Sequence, residues 1–153
     1  MAHTPSRPHV SILLAPGFDE VLLVACLSGL HEQGFFPQVL TLSARSTRGA
    51  HGLQVQGDVS METALKRRAP NLLIIPGPAA SVSTLLADPR TWQMLEAVAR
   101  CHGVLGTSRT GYHALAHSGG LPGSIAVPVI VQGAEDPAAF AARLASALAA
   151  EPG

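Results

Sequence analysis

The chain has 153 residues, of which 47% are hydrophobic and 13% are charged, and its formal net charge is zero. This length suits one domain with a full core, so we expect a single domain over residues 1–153, with residues 1–8 as a flexible N-terminus. The charge balance argues against direct nucleic-acid binding. No apolar run is long enough to span a membrane, and the first residues lack the apolar stretch of a signal peptide, so we expect a cytoplasmic protein.

The first quarter of the chain predicts a strand, a helix and a second strand. Residues 9–15 form a run that is apolar apart from His9 and Ser11, which is typical of a buried parallel strand. Asp19 is a suitable N-cap for a helix over residues 21–32, and Gly34 would end that helix. Residues 35–42 are the second predicted strand.

The next segment is more polar and contains the strongest strand pattern of the chain. Residues 43–52 predict a loop, and residues 53–59 predict a short hairpin at the edge of the sheet. Ser60 is a good N-cap for a helix over residues 61–68. Residues 71–75 are all apolar apart from the first and are followed by a proline-glycine turn, so they predict a central strand.

The second half continues the alternation of helices and strands. Helices are predicted over residues 81–86, 89–100 and 137–149, and strands over residues 103–107 and 125–131. Regular alternation of this kind favours a parallel sheet with helices on both faces. We therefore predict a three-layer α/β/α sandwich with a flavodoxin-like, mostly parallel sheet.

The turn after the strand over residues 103–107 is the most informative feature of the sequence. In α/β enzymes a sharp turn between a strand and a helix often holds the nucleophile. Here we place Arg109 at that turn, and an arginine stays protonated and cannot attack a carbonyl. Ser108 precedes it in a segment that approaches the Gly-x-Ser-x-Gly pattern but ends in threonine. No aspartate and histidine follow in the order that a serine hydrolase needs.

Four patterns in the right order carry a resemblance to a known family. They are the strand over residues 10–18, the segment 72–77, the strand and turn over residues 103–115 with the glycines at 119–120, and the terminal helix. Together they resemble the ThiJ/PfpI (DJ-1/PfpI) superfamily, whose fold is class I glutamine amidotransferase-like. The segment around Phe18 also resembles the sensing domains of AraC-type regulators in this superfamily.

The resemblance implies that the family's catalytic groups are missing from this chain. The nucleophilic cysteine would fall on Arg109, and its acidic partner on the first helix would fall near Leu22. The backbone donor of the oxyanion hole would fall on Pro78, which has no N–H. The family's histidine would fall within residues 126–131, which contain none, and the segment before the terminal helix is short. The resemblance therefore implies a shortened, catalytically inactive relative.

An anion-binding site is the function that we predict for this turn. A helix N-terminus and a guanidinium group both favour carboxylate or phosphate. The candidate ligand-binding residues are Arg109, Thr110, Gly111, Gly77, Asp19 and Glu20. In the alternative interpretation, Arg109 forms an internal salt bridge with Asp19 or Glu20, and Asp19 is only a helix cap.

We expect structural roles for two histidines and for both cysteines. His113 and His117 lie four residues apart on one helix but lack the glutamate and third ligand of a zinc site, so we expect satisfied core or boundary residues and no metal. Cys26 and Cys101 form no Cys-x-x-Cys pair and are expected to be structural. No cofactor is predicted.

Three functions stay open at the level of the sequence. The first is an inactive domain that binds a small anionic metabolite or a protein partner at Arg109. The second is an active hydrolase, amidase or aldehyde-processing enzyme with a rebuilt site. The third is a regulatory sensor domain. The resemblance also implies a homodimer, for which Trp92 and Met94 would be candidate contacts if they were exposed.

Overall fold

A parallel sheet forms the centre of the computed structural model, which describes residues 7–42, 46–118 and 127–150. Within these residues the sheet has six strands in the order β5-β2-β1-β6-β7-β8. The main-sheet strands are β1 (Val10–Leu14), β2 (Gln38–Thr41), β5 (Val59–Ser60), β6 (Leu72–Ile75), β7 (Val104–Thr107) and β8 (Val129–Val131). Every pair of neighbours is parallel. The α/β class and the mostly parallel sheet predicted from the sequence are therefore confirmed.

Helices cover both faces of this sheet. They are α1 (Glu20–Glu32), α2 (Met61–Leu65), α3 (Ala79–Leu86), α4 (Pro89–Arg100), α5 (Arg109–His117) and α6 (Pro137–Ala150). Helices α1 and α6 pack on one face, and the other four contribute to the core on the opposite face. None of the described helices is both long and apolar enough to cross a lipid bilayer.

Alternation along each central strand divides the core into two layers. In β1, Ile12 and Leu14 face α1 and α6, whereas Leu13 faces the four-helix layer. Successive side chains of a strand point to opposite faces, so a strand that is covered on both sides is apolar at most positions. This requirement explains the mostly apolar sequence of β1, in which Ser11 is the one polar residue and is also buried.

The sequence prediction fails between β2 and β5. The predicted loop over residues 43–52 contains a strand, β3 (Ser46–Arg48), which pairs in antiparallel register with β4 (Gln54–Gln56). The hairpin therefore starts before the predicted range of residues 53–59, and β5 belongs to the main sheet instead. The strands of the hairpin are short and polar, and the hairpin is held by hydrogen bonds to residues that are distant in the sequence. The N–H of Gly17 donates to the carbonyl of Arg48 at 2.8 Å, which no local pattern could reveal.

The other predicted elements differ from the structure mainly at their ends. Asp19 and Ser60 cap α1 and α2 as predicted, each accepting a hydrogen bond from a backbone N–H of the first turn. Helix α2 ends at Leu65 rather than at residue 68, because tighter turn hydrogen bonds replace the α-helical pattern at Lys66 and Arg67. The first two residues of the last predicted strand, 125 and 126, lie outside the described residues.

Candidate functional site

Three loops meet at the carboxyl edge of the sheet, where ligands bind in open α/β sheets. They follow β1, β6 and β7, the three central strands. The backbone N–H of Asp19 donates to the carbonyl of Pro76 at 2.9 Å, which joins the first loop to the second. The hydroxyl of Ser108 donates to the carbonyl of Gly77 at 3.0 Å, which joins the third loop to the second.

Ser108, not Arg109, is the residue at the junction between strand and helix. Strand β7 ends at Thr107, Ser108 is the N-cap with φ −74° and ψ 166°, and Arg109 is the first residue of α5. The junction predicted at Arg109 is therefore wrong by one residue. Serine is among the preferred N-cap residues because its oxygen can accept a hydrogen bond from a free N–H of the first turn, and that preference sets the start of this helix.

The hydroxyl of Ser108 is fully engaged in structural hydrogen bonds. It donates to Gly77 as described, and its oxygen accepts a hydrogen bond from the N–H of Gly111 at 3.0 Å. The residue is 8% exposed. No imidazole or carboxylate of the described residues is hydrogen-bonded to it, and the side chain that contacts its hydroxyl is Thr110, with 3.5 Å between the hydroxyl oxygens. A general base for Ser108 is therefore missing from this part of the chain.

The backbone at the junction is relaxed. Among the described residues, positive φ angles occur only at His102 and at three glycines, Gly17, Gly34 and Gly52. Nucleophile elbows are sharp, strained turns that expose the attacking side chain. The turn at Ser108 has ordinary extended geometry and buries its side chain instead.

Two glycines allow the loops to approach each other closely. A Cβ atom added to Gly77 would overlap the side chain of Val82, and one added to Gly111 would lie 2.5 Å from Oγ1 of Thr107. Thr107 in turn donates to the carbonyl of Ile75 at 2.8 Å. The carboxyl ends of β6 and β7 and the first turn of α5 thus form one tightly packed unit with little room for side chains.

Arg109 is exposed and has no hydrogen-bond or ion-pair partner among the described residues. The alternative interpretation, an internal salt bridge to Asp19 or Glu20, is therefore wrong for this structure. Thr110 beside it is exposed as well. Of the six candidate ligand-binding residues, these two have side chains that are accessible at the start of α5.

Both carboxylates of the candidate site serve the fold. Asp19 accepts the N–H of Leu22 at 3.0 Å and caps α1. Glu20 accepts the N–H groups of His51 and Leu53, both at 2.6 Å, and its carboxylate lies 2.9 Å from Nδ1 of His51. Glu20 therefore fastens the hairpin of β3 and β4 to α1. The sequence analysis missed this role because the interacting residues lie more than thirty positions apart.

These hydrogen bonds set the protonation of Glu20, whose side chain is 11% exposed. Burial of the carboxyl group opposes ionisation, but the N–H groups of Leu53 and His51 and the His51 ring outweigh it. Together they hold the pKa of Glu20 below its ordinary value of 4.5. Glu20 is thus more firmly ionised in the folded chain than in the unfolded one.

The residues at the positions that the resemblance links to catalysis are part of the core and of the backbone framework. Leu22 is fully buried in the core beneath α1. Pro78 precedes α3 and provides no side-chain cap, while its carbonyl accepts the N–H of Val82 at 3.2 Å. Residues 127–131 contain no histidine. The described residues 132–136 connect β8 directly to α6.

The cysteines and histidines follow the sequence prediction only in part. Burial raises the pKa of the Cys26 thiol to about 12, and the nearby charge of Asp19 adds to this effect, so Cys26 is unreactive. Cys101 is exposed at the end of α4. His113 and His117 are exposed on α5 rather than in the core. No cluster of three or more metal-ligating side chains occurs within the described ranges.

The protein is an α/β sandwich, because helices cover both faces of a parallel sheet and the connecting loops gather at its carboxyl edge. No family model and no curated protein matches the chain. Solved structures do match it, including a point mutant of a DJ-1 superfamily protein from Salmonella typhimurium, with a TM-score of 0.76, 20% identity, and coverage of 93% of this chain and 90% of that one.

Two further structures have the same TM-score. DJ-1beta of Drosophila melanogaster matches with a TM-score of 0.76 and 15% identity, covering 95% of this chain and 92% of that one. Oxidized DJ-1 of Toxoplasma gondii matches with a TM-score of 0.76 and 15% identity, covering 94% and 96%. The chain has the fold of DJ-1/ThiJ/PfpI superfamily proteins, so the resemblance seen in the sequence is confirmed at the level of the fold.

The structural role of Ser108 is testable by removing its hydroxyl. The substitution Ser108→Ala deletes the cap of α5 and leaves the carbonyl of Gly77 without its donor. We expect it to lower the free energy of unfolding by about 1–2 kcal/mol, measured by urea denaturation. Thr110→Ala is the matched control, because its hydroxyl is exposed two residues away, and it should change stability by less than about 0.5 kcal/mol. Equal effects of the two substitutions would contradict the capping role.

The ionisation of Glu20 predicts a pH dependence of stability. Because its folded-state pKa lies below the ordinary value of 4.5, the stabilisation is fully present above that pH and is lost as the pH falls through the lower, folded value. The stability difference between the native chain and Glu20→Gln should therefore be largest near neutral pH and shrink in acid, as followed by urea unfolding. Glu96→Gln, at an exposed position on α4, is the control and should have little effect at neutral pH. A difference that grows on acidification would refute the assignment.

Proposed function

We propose that this chain is a catalytically inactive domain with the DJ-1/ThiJ/PfpI fold, which binds a small anionic ligand at the start of α5. The proposal rests on how the polar groups at the junction between β7 and α5 are used. Its hydroxyl, on Ser108, is used for capping, while its guanidinium, on Arg109, is exposed and unpaired within the described residues. The residue after the junction therefore offers a binding group to solvent, whereas an enzyme would need a reactive nucleophile at the junction.

The case against catalysis rests on groups that are absent or occupied. Arg109 cannot act as a nucleophile, and Ser108 has no base to activate it in the described part of the chain. Cys26 is buried with a raised pKa, and Cys101 lies at the far end of β7 from the junction. Pro78 lacks the N–H that an oxyanion hole would require at its position. These features support a binding module over a hydrolase, an amidase or an aldehyde-processing enzyme.

The case for an anion rests on the electrostatics of the first turn of α5. The N–H groups of Arg109 and Thr110 are at the first two helical positions and have no intrahelical acceptor. Their partial positive charge adds to that of the guanidinium, and a cation at this end of a helix is unfavourable by about 0.3–1 kcal/mol. A bound carboxylate or phosphate would relieve this repulsion. No compensating carboxylate pairs with Arg109 in the described residues.

The other four candidate residues have supporting roles in this proposal. The N–H of Gly111 is occupied by Ser108, and the carbonyl of Gly77 accepts the Ser108 hydroxyl. Asp19 and Glu20 are occupied by α1 and the hairpin. We therefore propose Arg109 and Thr110 as direct contacts of the ligand, with Gly77 and Gly111 forming the rigid base of the site. Asp19 and Glu20 make no direct contact with the ligand in this proposal, because α1 and the hairpin occupy their carboxylates.

The proposal predicts two effects of opposite sign for Arg109→Gln. Without ligand, the substitution should raise the melting temperature slightly, because it removes a cation from a helix N-terminus. With inorganic phosphate, succinate or citrate, the native chain should melt at a higher temperature, and the variant should lose this shift. Arg100→Gln is the matched control, since Arg100 is exposed at the end of α4, and it should keep the full shift.

The same preparation tests inactivity. We expect no turnover of methylglyoxal, nitrophenyl esters or amides above the buffer rate, for the native chain or for Ser108→Ala. Turnover that disappears in Ser108→Ala or Cys101→Ala would overturn the inactive assignment. Equal anion shifts in the native chain and Arg109→Gln, or no shift with any of the three anions, would overturn the binding site.

We also propose that the chain forms a homodimer through the outer face of α1. Val21, Val24, Phe36 and Leu53 are 64%, 53%, 61% and 44% exposed, although all four are apolar residues. Glu20 brings Leu53 to the start of α1, and an open groove of about 570 Å³ lies between Val24, Leu27 and Phe36 at the other end. Clustered exposed apolar residues mark interaction surfaces. Trp92 and Met94 do not fit this role, since Met94 is buried and the Trp92 indole donates to the carbonyl of Leu86.

A second copy is the partner that fits this face best. Val21, Val24 and Ser28 follow one another at helical spacing and are small or medium in size, so two α1 helices can cross closely in an isologous contact. Sedimentation velocity should show a dimer for the native chain and a monomer for Val24→Glu. Tyr112→Glu, at an exposed aromatic residue on α5, should remain dimeric. A native monomer at all concentrations, or a dimer that survives Val24→Glu, would contradict this interface.

A further inference from the structure

Two exposed histidines on α5 lie outside the site described above. His113 and His117 are four residues apart, so their side chains leave the same face of the helix. Their ring centroids are 6.3 Å apart. The ring of His113 has no hydrogen bond among the described residues, so it is free to turn toward His117. Two nitrogens that bind one Zn²⁺ at 2.0–2.1 Å in tetrahedral geometry lie roughly 3.3 Å apart, so binding requires the His113 ring to turn toward His117.

A hydrogen bond fixes the tautomer of His117. Its Nδ1 lies 2.7 Å from the carbonyl oxygen of His113. A carbonyl oxygen can only accept, so Nδ1 must carry the proton, and in the neutral imidazole the lone pair is then on Nε2. Metal-bound histidines commonly show this arrangement, in which one ring nitrogen donates to a backbone carbonyl while the other binds the metal. His117 is therefore already in the form that a metal ion requires.

His113 is available as the second ligand. The described residues give its ring no hydrogen bond, and its only ring contacts are with Tyr112 and His117. No acidic residue occurs in α5, and Arg109 lies one turn before His113 on the same face. Hard cations such as Ca²⁺ and Mg²⁺ need oxygen ligands, and α5 carries no carboxylate. Imidazole pairs favour Zn²⁺, Ni²⁺ and Cu²⁺ instead.

We propose that His113 and His117 form a two-histidine binding site for a borderline divalent metal ion such as Zn²⁺ or Ni²⁺. The protein supplies two nitrogen ligands across one turn of α5, and water completes the coordination sphere. Such a site is open, so it leaves positions for an exogenous ligand. It uses none of the residues of the anion site proposed at Arg109, which lies one turn before it on the same face.

Titration calorimetry with ZnCl₂ on the full chain tests this site. We expect one equivalent of Zn²⁺ to bind the native chain, and His113→Ala and His117→Ala each to abolish the binding heat. His51→Ala is the matched control, because His51 is an exposed histidine beside a carboxylate and is the best competing pair in the described residues. His3→Ala is a second control for the N-terminal histidine. Both controls should retain one equivalent.

A spectroscopic readout locates the ion without relying on the heat of binding. In amide correlation spectra, paramagnetic Ni²⁺ should broaden the resonances of α5 first, and this broadening should disappear in His117→Ala. Circular dichroism spectra of the variants should match that of the native chain, which checks that the exposed substitutions leave the fold intact. Absence of Zn²⁺ binding in the native chain, binding that persists in either α5 variant, or binding that is lost in His51→Ala or His3→Ala would overturn the proposal.

Discussion

The hydroxyl of Ser108 joins the two central loops of the carboxyl edge. It donates to Gly77 after β6 and accepts from Gly111 in the first turn of α5, so one oxygen fixes the distance between two neighbouring strands and the start of a helix. This close approach requires glycine at positions 77 and 111, because a Cβ atom at either position would meet a neighbouring side chain. The buried hydroxyl therefore determines which residues fit around it and where α5 begins.

This arrangement changes what the fold can do. In an enzyme with a nucleophile elbow, the junction residue is strained and presents its reactive atom to the substrate. Here the junction is relaxed, its hydroxyl is turned inward, and the next residue presents a charged group to solvent. In the proposed function, a guanidinium and free N–H groups at a helix N-terminus stabilise an anion without reacting with it. The same scaffold thus supports recognition rather than turnover in our account.

Local signals in the sequence predicted most of the fold but only part of the site. The apolar run of β1, the caps at Asp19 and Ser60, and the proline at the start of α4 are encoded within a few residues, and all have the predicted role. The hairpin of β3 and β4 was predicted only in part because its anchor is Glu20, a residue distant in sequence. The predicted junction at Arg109 is one residue too late, because the capping preference of serine places the start of α5 after Ser108. Exposure of His113 and His117 depends on which side of α5 faces α3, which the sequence pattern did not determine.

Intact-mass spectrometry after treatment with a fluorophosphonate tests the central claim most directly. This reagent forms a covalent adduct with an activated serine and leaves ordinary serine hydroxyls unmodified. If Ser108 is committed to capping and no base activates it, the protein should keep its unmodified mass after prolonged incubation, while an authentic serine hydrolase in the same tube is fully labelled. A stoichiometric adduct that peptide mapping locates on Ser108 would contradict the account and identify the chain as an enzyme.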